Sequence, residues 1–302
     1  MKTYRIIGII FVYNPKIEEL IYNIHQYIEN IELLILWQNS ILSIKDQILL
    51  KSIDENRILI LGDGTNIGLA KPVNLILAKY GNMYQFLLTM DQDSTWVNFE
   101  DYVDSIIDNL EIFKENNIRI FGPQLITDMS QQITEIEDKI VDHVITSGAI
   151  YTIDIFKTIG GLREDYFIDA LDEEICWRAL KYGIKTIRIS KAVLFQKFGD
   201  TTTKRFLFIK ANYMKHTVLR NYYIVRNHIY LLKEYKAPIK TKILICYNYI
   251  LSALVKILLF DRKRFAKTKA IFTGIYHGIK MKKKKLSINY PLGNENTFDE
   301  KK

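Results

Sequence analysis

Apolar residues in the first half of the chain fall into short runs separated by longer stretches with apolar positions near helical spacing. The runs Arg5–Tyr13, Glu32–Trp37, Arg57–Leu61 and Tyr84–Met90 predict buried strands. The stretches Ile17–Ile28, Ile41–Ser52, Leu69–Tyr80 and Phe99–Asn116 predict helices. Further strands are expected at Arg119–Phe121, closing at Gly122-Pro123, at Val144–Thr152 and at Thr186–Ile189. Met129–Asp142 is polar and pattern-poor, a loop or an edge excursion. Leu171–Tyr182 reads as a helix stopped by Gly183. Strands alternating with helices predict an α/β fold of βαβ units around a mostly parallel sheet.

Beyond about Lys204 the pattern turns helical, basic and aromatic. Residues 204–285 hold 21 Lys/Arg against 2 Asp/Glu, a net +19. The total is +8, so the remainder nets −11. A step of that size marks a changed environment, facing nucleic acid, anionic lipid or a phosphorylated substrate. The strongly apolar stretch Ile243–Phe260 is borderline in length for a span and holds Tyr247, Asn248, Tyr249, Ser252 and Lys256. That mixture favours an interfacial or packed helix over a span or a dimer contact. The lysine cluster from Lys280 to Lys285 fits an anionic lipid surface or a solvated tail. Two cysteines, Cys176 and Cys246, suggest no disulfide framework or zinc site, so a reducing cytoplasm is the expectation. The N-terminal run lacks a signal-peptide cleavage site, which argues against secretion.

The chemistry gathers where strands are expected to end. The run Phe86–Met90 stops at Asp91-Gln92-Asp93-Ser94. Alternating carboxylates there can grip a hard divalent cation, although a strand followed by an acidic turn is the plainer reading of that motif alone. Tyr13-Asn14-Pro15 closes the first strand, where a loop can wrap a nucleobase. Asn66-Ile67-Gly68-Leu69-Ala70 opens a helix, and helix N-termini favour phosphate. Ser147-Gly148-Ala149 offers small residues at a strand end, where a ligand could approach the backbone. Asp169, Asp172, Glu173 and Glu174 crowd the start of the late helix, which also suits the helix dipole.

In this order the motifs resemble the inverting family 2 glycosyltransferases of the GT-A fold, over about Tyr4 to Tyr235. The closer resemblance is to the rhamnosyltransferase-like branch that builds bacterial polysaccharides, carried also by Ile159-Gly160-Gly161-Leu162 and by His216–Tyr223 with Arg226-Asn227. The resemblance implies a GT-A, Rossmann-like domain over 1–203 and a basic, mostly helical extension over 204–302 that faces acceptor and membrane. It implies a nucleotide-diphosphate sugar donor, with rhamnose favoured by the branch alone. It also implies a lipid-linked glycan acceptor, a Mg2+ or Mn2+ ion on Asp93 with Asp91, and a cytoplasmic enzyme at the inner membrane face. Asp172 matches the family's general base, with Asp169, Glu174 and Arg178 in support. Donor contacts would come from Tyr13, Asn14, Gln38, Asn39, Asn66, Gly68, Leu69, Asp91, Gln92, Ser147, Gly148, Arg220 and Arg226.

Three departures stand out. Gln38 replaces an acid that often reads the base, and Leu171 stands where Glu often precedes the catalytic Asp. Gln196 takes the place of the His that is commonly the third metal ligand, with His216 as a substitute candidate. Two rival readings follow from the same features. A nucleotidyltransferase would also use paired acids, but Tyr13-Asn14-Pro15 lacks the Gly-rich basic loop it needs. A nucleic-acid-binding protein would use the basic, aromatic-interleaved region, but no recognised motif accompanies it.

Overall fold

The computed structural model describes residues 4–127, 136–197, 201–206 and 209–282. It divides into two compact units. The first comprises the described residues up to Glu164 together with Ile175–Lys197, and the second comprises Asp165–Glu174 with the described residues from 201 to 282. The sequence places the boundary after residue 203, whereas the second unit also claims the segment that leads into the late helix.

In the first unit the chain runs β1 (Ile6–Val12), α1 (Ile17–His25), β2 (Leu33–Gln38), α2 (Ile44–Lys51), β3 (Ile58–Leu61), α3 (Ala70–Tyr80) and β4 (Phe86–Asp91). These follow the predicted elements to within a few residues, because each strand is a run with almost no polar interruption. All seven residues of β1 are buried. Such runs suit strands covered on both faces. β5 (Ser94–Trp96), α4 (Phe99–Asp108) and α5 (Leu110–Glu115) follow. The single helix expected over Phe99–Asn116 is broken at Asn109, which is not helical (φ −104°, ψ 12°) and so lies outside both helices.

Then come β6 (Ile118–Thr127), the short β7 (Lys139–Val141), β8 (Ala149–Thr152), α6 (Ile155–Ile159), α7 (Leu171–Lys181) and β9 (Lys185–Gln196). β6 does not stop at Gly122-Pro123. It continues to Thr127 by pairing with β9, and its register shifts between Pro123 and Gln124. A proline cannot donate to the ladder, so it sits where the pairing slips. The pattern-poor segment includes the edge strand β7, and its residues 129–135 lie outside the described set. β8 is shorter than expected, and Val144 instead packs on Gly122.

The main sheet has the order β3-β2-β1-β4-β8-β6-β9-β5, with β7 added to β9. β3, β2, β1 and β4 are mutually parallel. β8 is antiparallel to both β4 and β6. The chain moves outward from β1 through β2 to β3, then returns to place β4 on the other side of β1. That reversal makes the carboxyl ends of β1 and β4 the switch point, where open α/β sheets bind ligands.

The second unit opens with a hairpin, β10 (Thr201–Phe206) and β11 (Ile209–Met214), where a helical pattern was expected. Thr201-Thr202-Thr203 are β-branched and favour extended backbone. Helices α8 (Val218–Glu234), α9 (Ile239–Ile245), α10 (Ser252–Phe260) and α11 (Arg264–Lys280) complete it. A π-helical turn, Cys246–Leu251, joins α9 to α10. The core here is small: Tyr213, Val225, Ile257 and Ile271, with Ile250 and Leu254 packed against it. Asp261 and Lys267 are paired inside the unit, with the Tyr213 hydroxyl donating to the same carboxylate. Lys283 to Lys285 of the lysine cluster lie outside the described residues.

α8 and α11 meet backbone to backbone. A Cβ on Gly274 would come within 2.8 Å of the Tyr222 carbonyl, and one on Gly278 within 2.6 Å of the Arg226 carbonyl. Two glycines one turn apart let the helices approach this closely. Gly278→Ala is expected to push the helices apart and to cost about 1–3 kcal/mol of stability, as overpacking does. Thermal or urea unfolding of the variant measures it, and an unchanged midpoint contradicts the close packing.

Candidate functional site

At the switch point Phe11 pairs with Asp91. The strands then leave the sheet as Tyr13-Asn14 and Gln92-Asp93. Gln92 ties the two exits together: its Oε1 accepts the Tyr13 N–H at 2.7 Å and its Nε2 donates to the Tyr13 carbonyl at 3.0 Å. Asn14 has a φ of 46° and donates its N–H to Ser40 Oγ at 2.7 Å. Tyr13 is 53% exposed, so its ring is open to a flat ligand. A cavity of about 340 Å³ lies at the other end of the strands, lined by Phe86, Thr152 and Arg119, away from these acids.

The neighbouring loops are held by amides. Asn39 is buried; it donates to the Gly68 carbonyl at 3.0 Å and accepts the Ile67 N–H at 3.2 Å. Asn66 Oδ1 accepts the Gly68 N–H at 3.0 Å, and Gly68 takes a φ of 81° that favours glycine. Leu69 is the residue before α3. Gln38 is also buried. Its Nε2 donates to the Gly62 carbonyl at 3.1 Å, and its Oε1 accepts the Leu42 N–H at 3.0 Å. Expected to read a base, Gln38 thus already has both ends of its amide on the backbone.

Around Asp91 the hydrogen bonds close into a ring. The Asp91 N–H donates to Ser147 Oγ at 3.2 Å, Ser147 donates to Ser94 Oγ at 2.8 Å, and Ser94 donates to Gln196 Oε1 at 2.5 Å. Gln196 Nε2 then donates to Asp91 Oδ2 at 3.1 Å. A backbone N–H can only donate and a carboxylate can only accept, so the direction of the ring is set at Asp91. Gln196 therefore turns its nitrogen, not its oxygen, to Asp91. The expectation that it stands in as a third oxygen ligand is corrected: it orients the carboxylate. Among the described residues no group of three His, Cys, Asp or Glu is placed to hold a metal. Two carboxylates at a strand end still fit Mg2+ or Mn2+ held jointly with phosphate oxygens, the usual arrangement for Mg2+ in phosphate chemistry.

Gly148 was expected to admit a ligand. The structure fills that space: a Cβ there would sit 2.9–3.0 Å from Leu194, Pro123 and Trp96. Arg178 is buried, and its guanidinium donates to the carbonyls of Ile159, Gly160 and Gly161 at 2.5, 3.4 and 2.9 Å. It clamps the Gly160-Gly161 turn. Asn74 on α3 holds the next residue of that turn, accepting the Leu162 N–H at 2.7 Å and donating to its carbonyl at 2.9 Å. Asn74 lies beyond the Asn66–Ala70 motif and Ser94 closes the acidic one, and residue type alone gives neither a role.

In the second unit, Phe167, Asp169 and Ala170 have φ of 63°, 64° and 61°. Non-glycine residues rarely adopt this region, and such clusters mark functional segments. α8 holds the segment in place. Asn227 Nδ2 faces the carbonyls of Tyr166, Ile168 and Asp169 at 2.8, 2.6 and 2.9 Å. Arg226 donates to the Asp165 and Tyr166 carbonyls at 2.5 and 3.2 Å and to Asn227 Oδ1 at 2.8 Å. Arg226 was expected at a diphosphate; it is instead engaged in this loop, and Asn227, named only within a motif, is the central support. Arg220 pairs with Asp169 at 3.1 Å.

The loop delivers the first turn of α7. Glu174 is fully buried and accepts the Tyr235 hydroxyl at 2.6 Å. Asp172 is partly buried, and burial followed by the adjacent Glu173 carboxyl pushes its carboxyl well above the usual range. His216 lies in this unit near Arg220 and Asp169; burial and the Arg220 charge hold its ring neutral, down at about 4.

No protein-family profile matches the chain. It is 28% identical over 255 residues to the dTDP-rhamnosyl transferase RfbF of Shigella flexneri, covering 78% of this chain and 82% of that protein. Among solved structures it is similar to GalNAc-T7 with UDP, GalNAc and Mn2+, at a TM-score of 0.56 and 12% identity. That likeness covers 78% of this chain, which spans about half (49%) of the larger protein. It is similar also to S. aureus TarS 1–349, at a TM-score of 0.45 and 13% identity over 91% of this chain and 72% of the other. The GalNAc-T7 likeness carries the fold, and the similarity to the Shigella relative runs over most of both chains. With acids at the switch point of such a sheet, the chain is a glycosyltransferase of the GT-A fold, rhamnosyltransferase-like in sequence.

Proposed function

We propose that the chain moves rhamnose from dTDP-rhamnose, with inversion, to a hydroxyl of a lipid-linked glycan at the cytoplasmic face of a bacterial membrane. The observation that carries this reading is the placement of Asp91 and Asp93 at the β1/β4 switch point. The donor sugar follows the Shigella relative. Asp93 and Asp91 would hold Mg2+ or Mn2+ together with the donor diphosphate; when bound, such a cation stabilises the charge of the leaving group. Tyr13 supplies a face for the base, Gln92 fixes the turn that carries it, and Asn39 with Asn66 shapes the loop before α3. Asp172 takes the proton from the acceptor hydroxyl as its oxygen attacks the anomeric carbon. A carboxyl raised toward neutrality is a stronger base than an ordinary one.

The second part of the proposal concerns the membrane. Ile239–Phe260 is one continuous helical stretch of 22 residues, long and apolar enough to cross a membrane. One side packs inside the second unit through Ile245 and Ile257. The other leaves Ile243, Tyr247, Leu251, Val255 and Leu258 exposed at near-helical spacing. Lys240, Lys242 and Lys256 accompany them. A helix packed on one side with an apolar, lysine-flanked face outward suits an interfacial position on anionic lipid better than a span.

Release of dTDP from dTDP-rhamnose tests the catalytic part. Asp172→Asn and Asp93→Ala are each expected to reduce it roughly 100-fold or more, and UDP- and GDP-sugars to replace dTDP-rhamnose poorly. The reaction needs Asp172 as carboxylate. Its raised pKa therefore places the acid-side fall in rate above the ordinary carboxylate range, with activity lost as pH drops through it. Near wild-type rates in either variant remove the role assigned to that residue.

Co-sedimentation with anionic vesicles tests the membrane part. Binding is expected at low salt, weakened by high salt and by Leu251→Asp with Leu258→Asp. No binding at low salt overturns it and leaves the catalytic reading standing.

A further inference from the structure

Glu173 and His228 lie beside Asp172, and none of the roles described so far uses them. His228 on α8 is 4% exposed. Its Nδ1 is 2.7 Å from the Ile224 carbonyl, one turn earlier. A carbonyl can only accept, so Nδ1 carries the hydrogen. In the neutral ring Nε2 is then a bare acceptor. It makes no hydrogen bond in this state and faces Glu173 Oε1 at 3.5 Å, a contact that becomes an ion pair only when the ring is protonated. The ring is held from the other side by Tyr249, stacked at 3.8 Å with 23° between the planes. Tyr249 comes from the π-helical turn Cys246–Leu251, a distortion that often appears at functional sites.

Glu173 follows Asp172 in the first turn of α7, and its carboxyl adds to burial in raising that of Asp172. Two carboxyls so close share a proton rather than both ionise. His228 Nε2 stands on the other side of Glu173 as an acceptor nitrogen. The other ionisable groups around these three are accounted for. Asp169 on the preceding loop is paired with Arg220 of α8. Glu174 accepts the Tyr235 hydroxyl. Burial, and the acids Glu173, Asp172 and Asp169, push the Tyr249 phenol up to about 12, so it stays protonated beside the imidazole.

We propose that Glu173 and His228 are positioning residues that form a proton relay behind Asp172, with His228 Nε2 as the site that receives the acceptor's proton. This rests on the reading of Asp172 as the base. The acceptor O–H breaks as its oxygen bonds to the anomeric carbon, and the bond to the donor diphosphate breaks with its electron pair leaving on the diphosphate. The proton goes to Asp172. Asp172 passes a proton to Glu173, and Glu173 passes one to Nε2. The result is an imidazolium facing a carboxyl pair that again shares its one proton and carries one negative charge. After product release the proton returns along the same groups to the partly exposed Asp172 and to solvent. The relay gives the crowded acids of the α7 first turn a cationic partner at the moment the proton arrives.

The test uses the full chain with side-chain imidazole NMR and the dTDP-release assay on dTDP-rhamnose. His228 is expected as the Nδ1–H tautomer, with an Nε2 resonance that moves in both Glu173→Gln and Asp172→Asn. A fixed Nε2–H tautomer, or an Nε2 signal insensitive to both substitutions, overturns the relay without any need for turnover. In the assay, Glu173→Gln and His228→Phe, which keeps the stack on Tyr249, are each expected to lower kcat about tenfold or more with donor KM unchanged. Glu173→Gln should also move the acid limb of the pH profile to lower pH, because the like-charged neighbour of Asp172 is gone. That shift reports the contact between the two carboxyls, whereas the loss of kcat in His228→Phe, which leaves that contact intact, is what a merely structural role would not produce. If His228→Phe melts early, His228→Gln takes its place, with melting and nucleotide binding as controls. Wild-type transfer by Asp172→Asn removes the base and the relay together. Loss in Asp172→Asn with wild-type kcat and pH limb in the other two removes the relay alone.

Discussion

The ring of hydrogen bonds through Asp91, Ser147, Ser94 and Gln196 is the constraint on which the sheet edge of the first unit depends. It joins the end of β4 to β5, to the residues before β8 and to the end of β9, all within a buried layer where an unpaired polar group would be costly. Its direction is dictated by one backbone donor and one carboxylate. Through it, a carboxylate that a cation or diphosphate can use is held at a fixed angle before any ligand arrives. The same ring explains how glutamine can serve where a metal-binding histidine is usual: the side chain has become part of the support for Asp91.

The second unit solves a comparable problem by other means. A loop with three non-glycine residues at positive φ is unfavourable by itself. Four carbonyls, those of Asp165, Tyr166, Ile168 and Asp169, are held by the side chains of Asn227 and Arg226 and keep it in that shape. The loop leads directly into the first turn of α7, so its conformation fixes where Asp172, Glu173 and Glu174 stand. The close contact of α8 with α11 at Gly274 and Gly278 anchors the helix that supplies Asn227 and His228. Stability and chemistry in this unit therefore share one helix. A substitution that loosens α8 would be expected to move the acids as well.

The strands and helices of the first half could be read from the sequence because their signals are local. Continuous apolar runs such as Ile6–Val12 can hardly be anything but buried strands, and glycine at Gly183 ends a helix by its own backbone freedom. The hairpin at 201–214 was missed because basic residues on β-branched strands blur both periods. The extension of β6 past Pro123 was missed because pairing with β9, some seventy residues away, overrides a local stop signal.

The order of motifs along the chain, with Asp91 and Asp93 at a strand end and Asp172 at a helix start, was determined by the sequence, since residue type and spacing are sufficient to name the groups chemistry needs. What each polar side chain does with its hydrogen bonds was decided only by the tertiary structure. Gln38, Gln196, Arg178 and Arg226 all looked able to meet a ligand, and each is turned inward to backbone or carboxylate. Glu173 and His228 are fifty-five positions apart in the sequence, and only the packing of α8 beside α7 within the second unit brings them together. A donor or acceptor has no fixed partner until the chain folds, and burial then requires it to take one.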